Sequence, residues 1–408
     1  MITAPPPNWR ETTVRRVLRL LDRPARSGLG VITAYRDGTV TLRSNRREDG
    51  YTFSDTENGY QEIRPGDLVF HALDGFAGAV GVSDSHGNGS PVYHVCEPVV
   101  GDDPAYLARL LRHLGTSGFL ATQAPNVRER SVDFRNWSTF ARIPLALPPA
   151  DEQRAIAYYL DRETARIDTL IEEQQRLIEL QRERRAAVID AALAPLSSWT
   201  CTALKHVLDG IDQGVSPQAD MGLADEPGAW GVLKTGCVNR GVFRPKEHKR
   251  LPDGFPFDPA IAVEVGDVIV SRASGSPDLV GSAAIVEHLD YRLILSDKLF
   301  RLRPQRSADS RFLAWSLNSG RYRVQVRRAI SGADGLANNL PLSKLRSFEM
   351  HFPPLVEQRR IAAYLDDQTA KIDMLIAETD RFIELARERR SALITAAVTG
   401  QIDVREGA

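Results

Sequence analysis

The chain has 408 residues, 42% hydrophobic and 26% charged, with 52 Lys+Arg balanced by 53 Asp+Glu for a formal net charge of −1. That composition is of an ordinary globular protein with room for two or three cores, and the near-zero charge gives no whole-chain signature of a polyanion binder. No apolar run reaches the ~18 residues of a membrane span, the opening MITAPPPNWRETTVRR lacks the apolar stretch of a signal peptide, and Cys96, Cys201 and Cys237 are too scattered for a disulfide framework or a zinc site. The expectation is a cytoplasmic chain with reduced thiols.

In chain order, strand-like runs bounded by Gly, Pro and Asp come first: GLGVITAYRDGTVTLRS (28–44) and GDLVFHAL (66–73). A helical pattern, PAYLARLLRHLGT, spans 104–116. Pro148-Pro149 then opens a segment without Gly or Pro until Pro195, with acidic residues in its first turn where a helix N-terminus is positive. This predicts a helix of about 43 residues, or about 65 Å at 1.5 Å per residue, too long to be buried in a small domain.

After it the pattern starts again. GDVIVSRA (266–273), GSAAIVEH (281–288) and KLFRLRP (298–304) predict strands, SRFLAWSLNSGRYRVQVRRAI (310–330) a helical region, and Pro353-Pro354 a second long helix. PPADEQRAIAYYLDRETARIDTLI (148–171) and PPLVEQRRIAAYLDDQTAKIDMLI (353–376) stand at an offset of 205, and 29 of the 47 positions from Pro148 to Ala194 match their partners. The doubling extends beyond the helix. NWRETTVRRV (8–17) echoes SWTCTALKHV (198–207), and RPGDLVFHALDGFAGAVGV (64–82) echoes EVGDVIVSRASGSPDLVGSAAIV (264–286). The duplicated unit is a globular part followed by a helix, and the globular parts lean basic while the helices lean acidic.

Both helices carry a seam of the coiled-coil type, stepping by alternating four and three: Leu160, Thr164, Ile167, Ile171, Gln174, Ile178, Gln181, Arg185, Val188 and Ala192 in the first. In the second it runs Leu365, Thr369, Ile372, Ile376, Thr379, Ile383, Ala386, Arg390, Leu393 and Ala397. Leu170, Leu177, Leu375 and Phe382 widen the stripe, and the polar Gln174 and Thr379 penalise slipped registers. Antiparallel pairing of the two helices would place the globular parts at opposite ends of a rod, related by an approximate twofold axis.

Motifs for chemistry are absent: no phosphate loop, His-Glu-x-x-His, nucleophile elbow, dinucleotide fingerprint or amino-methyltransferase Asn/Asp-Pro-Pro-Tyr/Phe. Glu247, His248 and Lys249, downstream of Asp220 and Asp225, are the nearest approach to a Mg²⁺-dependent nuclease. Phosphate and base contacts are expected from clusters of Arg, Lys, Asn and aromatic residues. In the first half these are Arg43, Arg46, Arg47 and Tyr51. In the second they are Arg240, Arg244, Lys246, Lys249, Arg250, Arg272, the helical set Arg321, Arg323, Arg327 and Arg328, and the pair Asn338 and Asn339.

The repeated PPxxEQRxIAxYLD, each followed by a long heptad helix, and the closing AAVTGQIDVR (396–405) resemble the specificity subunit of type I restriction-modification systems. GDVIVSRASG fits that family, while the first half departs from it with His71-Ala72 where Ser-Arg is expected. The resemblance implies a mixed α/β (α+β) chain. Residues 1–147 and 196–352 would be target recognition domains, 148–195 and 353–402 spacer helices in an antiparallel coiled coil with pseudo-twofold symmetry, and 403–408 a tail. It implies a subunit that is non-catalytic by itself and binds no cofactor. Such a subunit reads a bipartite asymmetric double-stranded DNA site, with readers one helical turn apart (about 34–36 Å). Its partners would be two adenine methyltransferase subunits using S-adenosylmethionine and restriction subunits using ATP and Mg²⁺. The rival readings are a nuclease acting through Glu247 and Lys249, and a coiled-coil scaffold that binds no DNA.

Overall fold

A computed structural model describes residues 6–46, 59–99, 101–125, 127–128, 131–218, 222–330 and 338–404. The chain divides into two compact units, Met1–Gln174 with Arg381–Ala408, and Gln175–Asp380. The predicted long helices run over Ala150–Ala192 and Leu355–Val398, 43 and 44 residues. Each unit therefore owns the start of one long helix and the end of the other.

Within each unit the two helix pieces run antiparallel. In the first, Leu160 shares a core with Val398 while, eight residues further on, Asp168 meets Arg390 (2.8 Å). In the second, Leu365 shares a core with Leu193 while Asp373 meets Arg185 (3.0 Å). Asp168 and Asp373, like Arg185 and Arg390, stand 205 apart, so one cross-helix ion pair is made twice. Of the seam residues, Leu160, Ile171, Ile178, Leu365, Thr369, Ile372 and Ile383 are buried, and Ile167, Gln174, Ile376 and Thr379 half-buried. The widening of the stripe is corrected: Leu170, Leu177, Leu375 and Phe382 are 37–46% exposed. Successive residues turn by 100°, which carries these side chains past the edge of the seam onto the neighbouring face.

Both globular parts are built on a four-stranded antiparallel sheet of the same order. In the first the strands lie as Leu18–Leu20, Tyr93–Pro98, Leu68–His71, Val80–Val82, and in the second as Leu208–Gln213, Leu299–Pro304, Val268–Ser271, Ala283–Ile285. The GDLVF and GDVIV segments take the same place in each. A separate two-stranded ladder, Arg10–Thr13 on Pro144–Leu147 and Thr200–Ala203 on Glu349–Phe352, brings the start of each part beside the strand that leads into its long helix. The outer layers differ. The first has the hairpin Ile32–Ala34 with Val40–Leu42 and the pair Gln61–Ile63 with Gly87–Gly89; the second has a three-stranded sheet centred on Trp230–Leu233.

The Glu-Gln of the repeated motif joins helix to globular part. Gln153 is fully buried, donates to Pro148 O (3.0 Å) and Asp102 Oδ1 (2.7 Å), and accepts the Asp103 N–H (2.9 Å). Gln358 donates to Pro353 O (2.8 Å) and Ser307 O (3.0 Å) and accepts the Asp309 N–H (2.8 Å). Asp103 and Asp309 are in turn the N-caps of the helices Pro104–Thr116 and Ser310–Ser316. The Asp of Tyr-Leu-Asp grips the same helices, Asp161 through Arg109 and Asp366 through Trp315 (2.8 Å) and Arg311 (2.7 Å). Beyond the second long helix, Val404 is buried in the first unit's core rather than trailing as a tail.

Two further parts of the repeat have diverged. The predicted helical region 310–330 breaks at Asn318-Ser319, and Ser319 caps a second helix, Gly320–Ala329. In that helix Gln325 holds both the N–H and the carbonyl of Glu349 (2.9 Å each). The first part has Pro144 at the position of Glu349, with no N–H to offer, and only the short helix Phe119–Gln123 there. At the other divergence, His71 replaces Ser271. Each organises the turn after its strand: Ser271 Oγ donates to Ala273 O (3.2 Å), and His71 Nδ1 accepts the N–H groups of Leu73 and Asp74 (3.2 Å each).

Replacing Gln358 with Leu strands the buried Pro353 carbonyl and removes the partner of the half-buried Asp309 N–H and Ser307 carbonyl, so unfolding in urea should show a loss of about 2–3 kcal/mol. Replacing the exposed Glu378 with Gln should change stability by less than about 0.5 kcal/mol. A second outcome concerns pH. Burial lowers the His71 imidazole below its usual range, an effect the nearby Asp74 carboxylate only partly offsets. The unfolded chain then binds the proton first, so His71's stabilising contribution is complete above about pH 6.5 and declines as pH falls below it. Thermal midpoints measured from pH 7.5 to 5.5 should fall, and His71→Ser should make that fall shallower.

Candidate nucleic-acid interface

The candidate cations separate into those already engaged and those left open. In the first half Arg43 opens the turn Arg43–Asn45 and reaches Thr33 Oγ1 (3.4 Å). Arg46 pairs with Asp37 and lies 4.5 Å from the Tyr35 ring centroid. Against the burial that raises it, that guanidinium and the Thr39 N–H hold the Asp37 carboxyl at about 2. Arg47 and Tyr51 lie outside the described residues.

In the second half many of the arginines brace loops. The Arg244 guanidinium donates to Asn239 O (2.7 Å) and Val242 O (3.4 Å). Arg250 is held by Glu226 (2.9 Å) and Asp253 (3.2 Å). Arg272 donates to Asp297 O (3.1 Å), with its guanidinium 5.9 Å from the Phe300 ring centroid. On the helix Gly320–Ala329, Arg323 donates to the carbonyls of Val280, Asp278 and Pro277, and Arg327 to Asp278 Oδ1 (3.1 Å). Asn338–Asn339 pairs as a short strand with Ala273–Ser274, drawing the residues after Arg272 into a closed loop. Arg240, Lys246, Arg321 and Arg328 are exposed, and Lys249 is half-buried on the strand His248–Arg250.

The nuclease candidate is not assembled around its histidine. His248 is fully buried, with Nε2 accepting the Ala224 N–H (2.9 Å) and Nδ1 against Pro245 O (2.6 Å), which commits both ring nitrogens to the fold. Asp220 lies outside the described residues, and among those described no three His, Cys, Asp or Glu side chains come close enough to hold a metal ion. Among them, too, no helix is long and apolar enough to cross a membrane.

Sequence reading missed a second surface. Leu170, Leu177 and Leu180 on the first long helix, and Leu375, Phe382 and Leu385 on the second, are exposed large apolar residues at three pairs of positions 205 apart. Their doubling was visible in the repeat; their facing outward was not.

No protein-family model matches the chain. The EcoEI specificity subunit of Escherichia coli, a type I restriction enzyme component, is 28% identical over 178 residues, 43% of this chain and 30% of that protein. The aligned stretches span less than half the length of the curated relatives. Among solved structures, a chain from work on complex assembly and conformational transition of the type I R-M system superposes with TM-score 0.66 at 19% identity, covering 98% of this chain and 100% of that one. The HsdS subunit from Thermoanaerobacter tengcongensis gives TM-score 0.52 at 20% identity, covering 98% and 99%. The chain is thus similar in sequence to type I restriction enzyme specificity subunits over about half its length, and similar in fold to the two solved chains over nearly all of it.

Proposed function

We propose that the chain is the DNA sequence-recognition subunit of a type I restriction-modification complex. Residues 1–147 and 196–352 act as two target recognition domains, each reading one half of a bipartite asymmetric site, and the long helices set the number of unread base pairs between the halves. The observation that carries this reading is a frame made twice and a surface made differently each time. The same sheet order and the same glutamine anchor recur in both halves, while the outer layers and cation-bearing loops do not. Two equal frames with unequal readers suit a two-part, non-palindromic target. A duplicated nuclease or a plain scaffold gives no reason for that divergence.

On this reading the chain does no chemistry itself and works in the cytoplasm. Two methyltransferase subunits bring S-adenosylmethionine and flip the target adenine, and restriction subunits bring ATP and Mg²⁺. Within each unit one exposed apolar pair stands on a long helix, Phe382 and Leu385 in the first and Leu177 and Leu180 in the second, and these pairs support a docking face in each unit for a methyltransferase subunit, because exposed apolar surface marks association sites.

Co-expression with the methyltransferase encoded beside this chain, followed by mapping of methylated adenines, should return one gapped two-part motif. Scattered methylation, or none, would sink the reading. Leu177→Glu with Phe382→Glu should leave the thermal midpoint of the chain within about 2 °C, as expected of exposed substitutions. The same pair should weaken methyltransferase assembly, measured by size-exclusion chromatography with light scattering, at least about tenfold.

A further inference from the structure

Among the described residues Arg240 is the one non-glycine residue with positive φ (φ +60°, ψ +27°). An L-residue avoids this left-handed region unless its surroundings force it there, and glycine would satisfy the backbone without strain. The surroundings here do force it. Arg244 donates its N–H to Cys237 O (2.7 Å) and its guanidinium to the carbonyls of Asn239 and Val242, gripping the chain on both sides of Arg240. Cys237, Val238 and Phe243 are buried beneath the tip. Gly241 rests against Asn318, whose amide is tied to Ala283 O (2.7 Å) and Ala314 O (2.8 Å).

The result is a rigid tip that presents one exposed arginine. The Arg240 side chain makes no hydrogen bond or ion pair among the described residues, whereas those of Arg244, Arg250, Arg272, Arg323 and Arg327 are each held by the chain. Phosphate neutralisation needs only a cation on a flexible stem, and Lys246 or Arg328 would supply it. A base edge is read through paired hydrogen bonds, which a planar fork on a fixed backbone aims better than a flexible ammonium does. Strain kept where a glycine would serve the fold better points to a side chain needed for contact.

Resting on the DNA-recognition reading above, we propose that Arg240 is a base-reading residue of the second recognition domain. Its guanidinium takes the O6 and N7 acceptors of a guanine in the major groove. The test uses the complex of the full chain with its methyltransferase subunits. Arg240→Gly relieves the strain, so the thermal midpoint should hold or rise. The methylation map should keep its gap and one half-motif while a single guanine position in the other half becomes degenerate, with discrimination there falling about ten- to a hundredfold. Arg240→Lys keeps the charge but not the fork and should give the same degenerate position with an unchanged salt dependence of DNA binding. An unaltered motif in both variants overturns the assignment. So does a uniform loss of affinity with the motif intact, which would make Arg240 a phosphate contact. A wild-type map without any two-part motif overturns the recognition reading, and this assignment with it.

Discussion

The side-chain amide of one buried glutamine, written twice, is the joint on which the rest depends. Gln153 and Gln358 each bind the carbonyl of the first proline of the Pro-Pro pair and the N–H of the aspartate that caps a helix of the globular part, Pro104–Thr116 or Ser310–Ser316. The proline carbonyl is buried and the aspartate N–H half-buried, and the one amide satisfies both. A helix tethered only by its chain could swing about the Pro-Pro pair. This clasp, with the aspartate of Tyr-Leu-Asp one further turn pair along, turns a flexible junction into a fixed angle. That explains why Glu-Gln and Tyr-Leu-Asp recur as a set, since both face the same helix of the globular part.

The frame was legible in the sequence because its signals are local and repeated. Proline pairs, an unbroken helical stretch and a spacing of 205 require no knowledge of tertiary partners, and they located both helices to within a few residues. The seam was legible for the same reason. The flanking stripe was not: Leu170 and Leu177 sit one position before Ile171 and Ile178, and hydrophobicity cannot separate a face that meets its partner helix from one that meets solvent. Only the packing does.

The surface was far less legible. Clusters such as RYRVQVRR and RPKEHKR were visible as charge, but an arginine's role depends on acceptors remote in sequence. Arg323 is taken by carbonyls at 277–280, and Arg250 by Glu226. Those partners lie 24 to 46 residues away, beyond any periodicity. The same limit hid the equivalence of His71 and Ser271. One accepts hydrogen bonds and the other donates, yet both shape the turn after the same strand.

Duplication makes this divergence informative. Two copies of one frame begin with the same residues at every site, so positions that still agree report what the frame needs, and positions that differ report what it tolerates. The cross-helix Arg–Asp pair, the glutamine and the sheet order agree. Glu349 against Pro144, Trp315 against Arg109 and the outer layers differ, and with them the helix Gly320–Ala329 has no full-length counterpart. The outer layer of the second half has a buried core of its own, with Val232, Cys237, Val238 and Phe243 in it, and on that support its loops can carry costs of their own. A left-handed arginine is such a cost. Held by Arg244 and packed over the buried Cys237, Val238 and Phe243, it survives in a loop that lies outside the inner sheet shared by both halves.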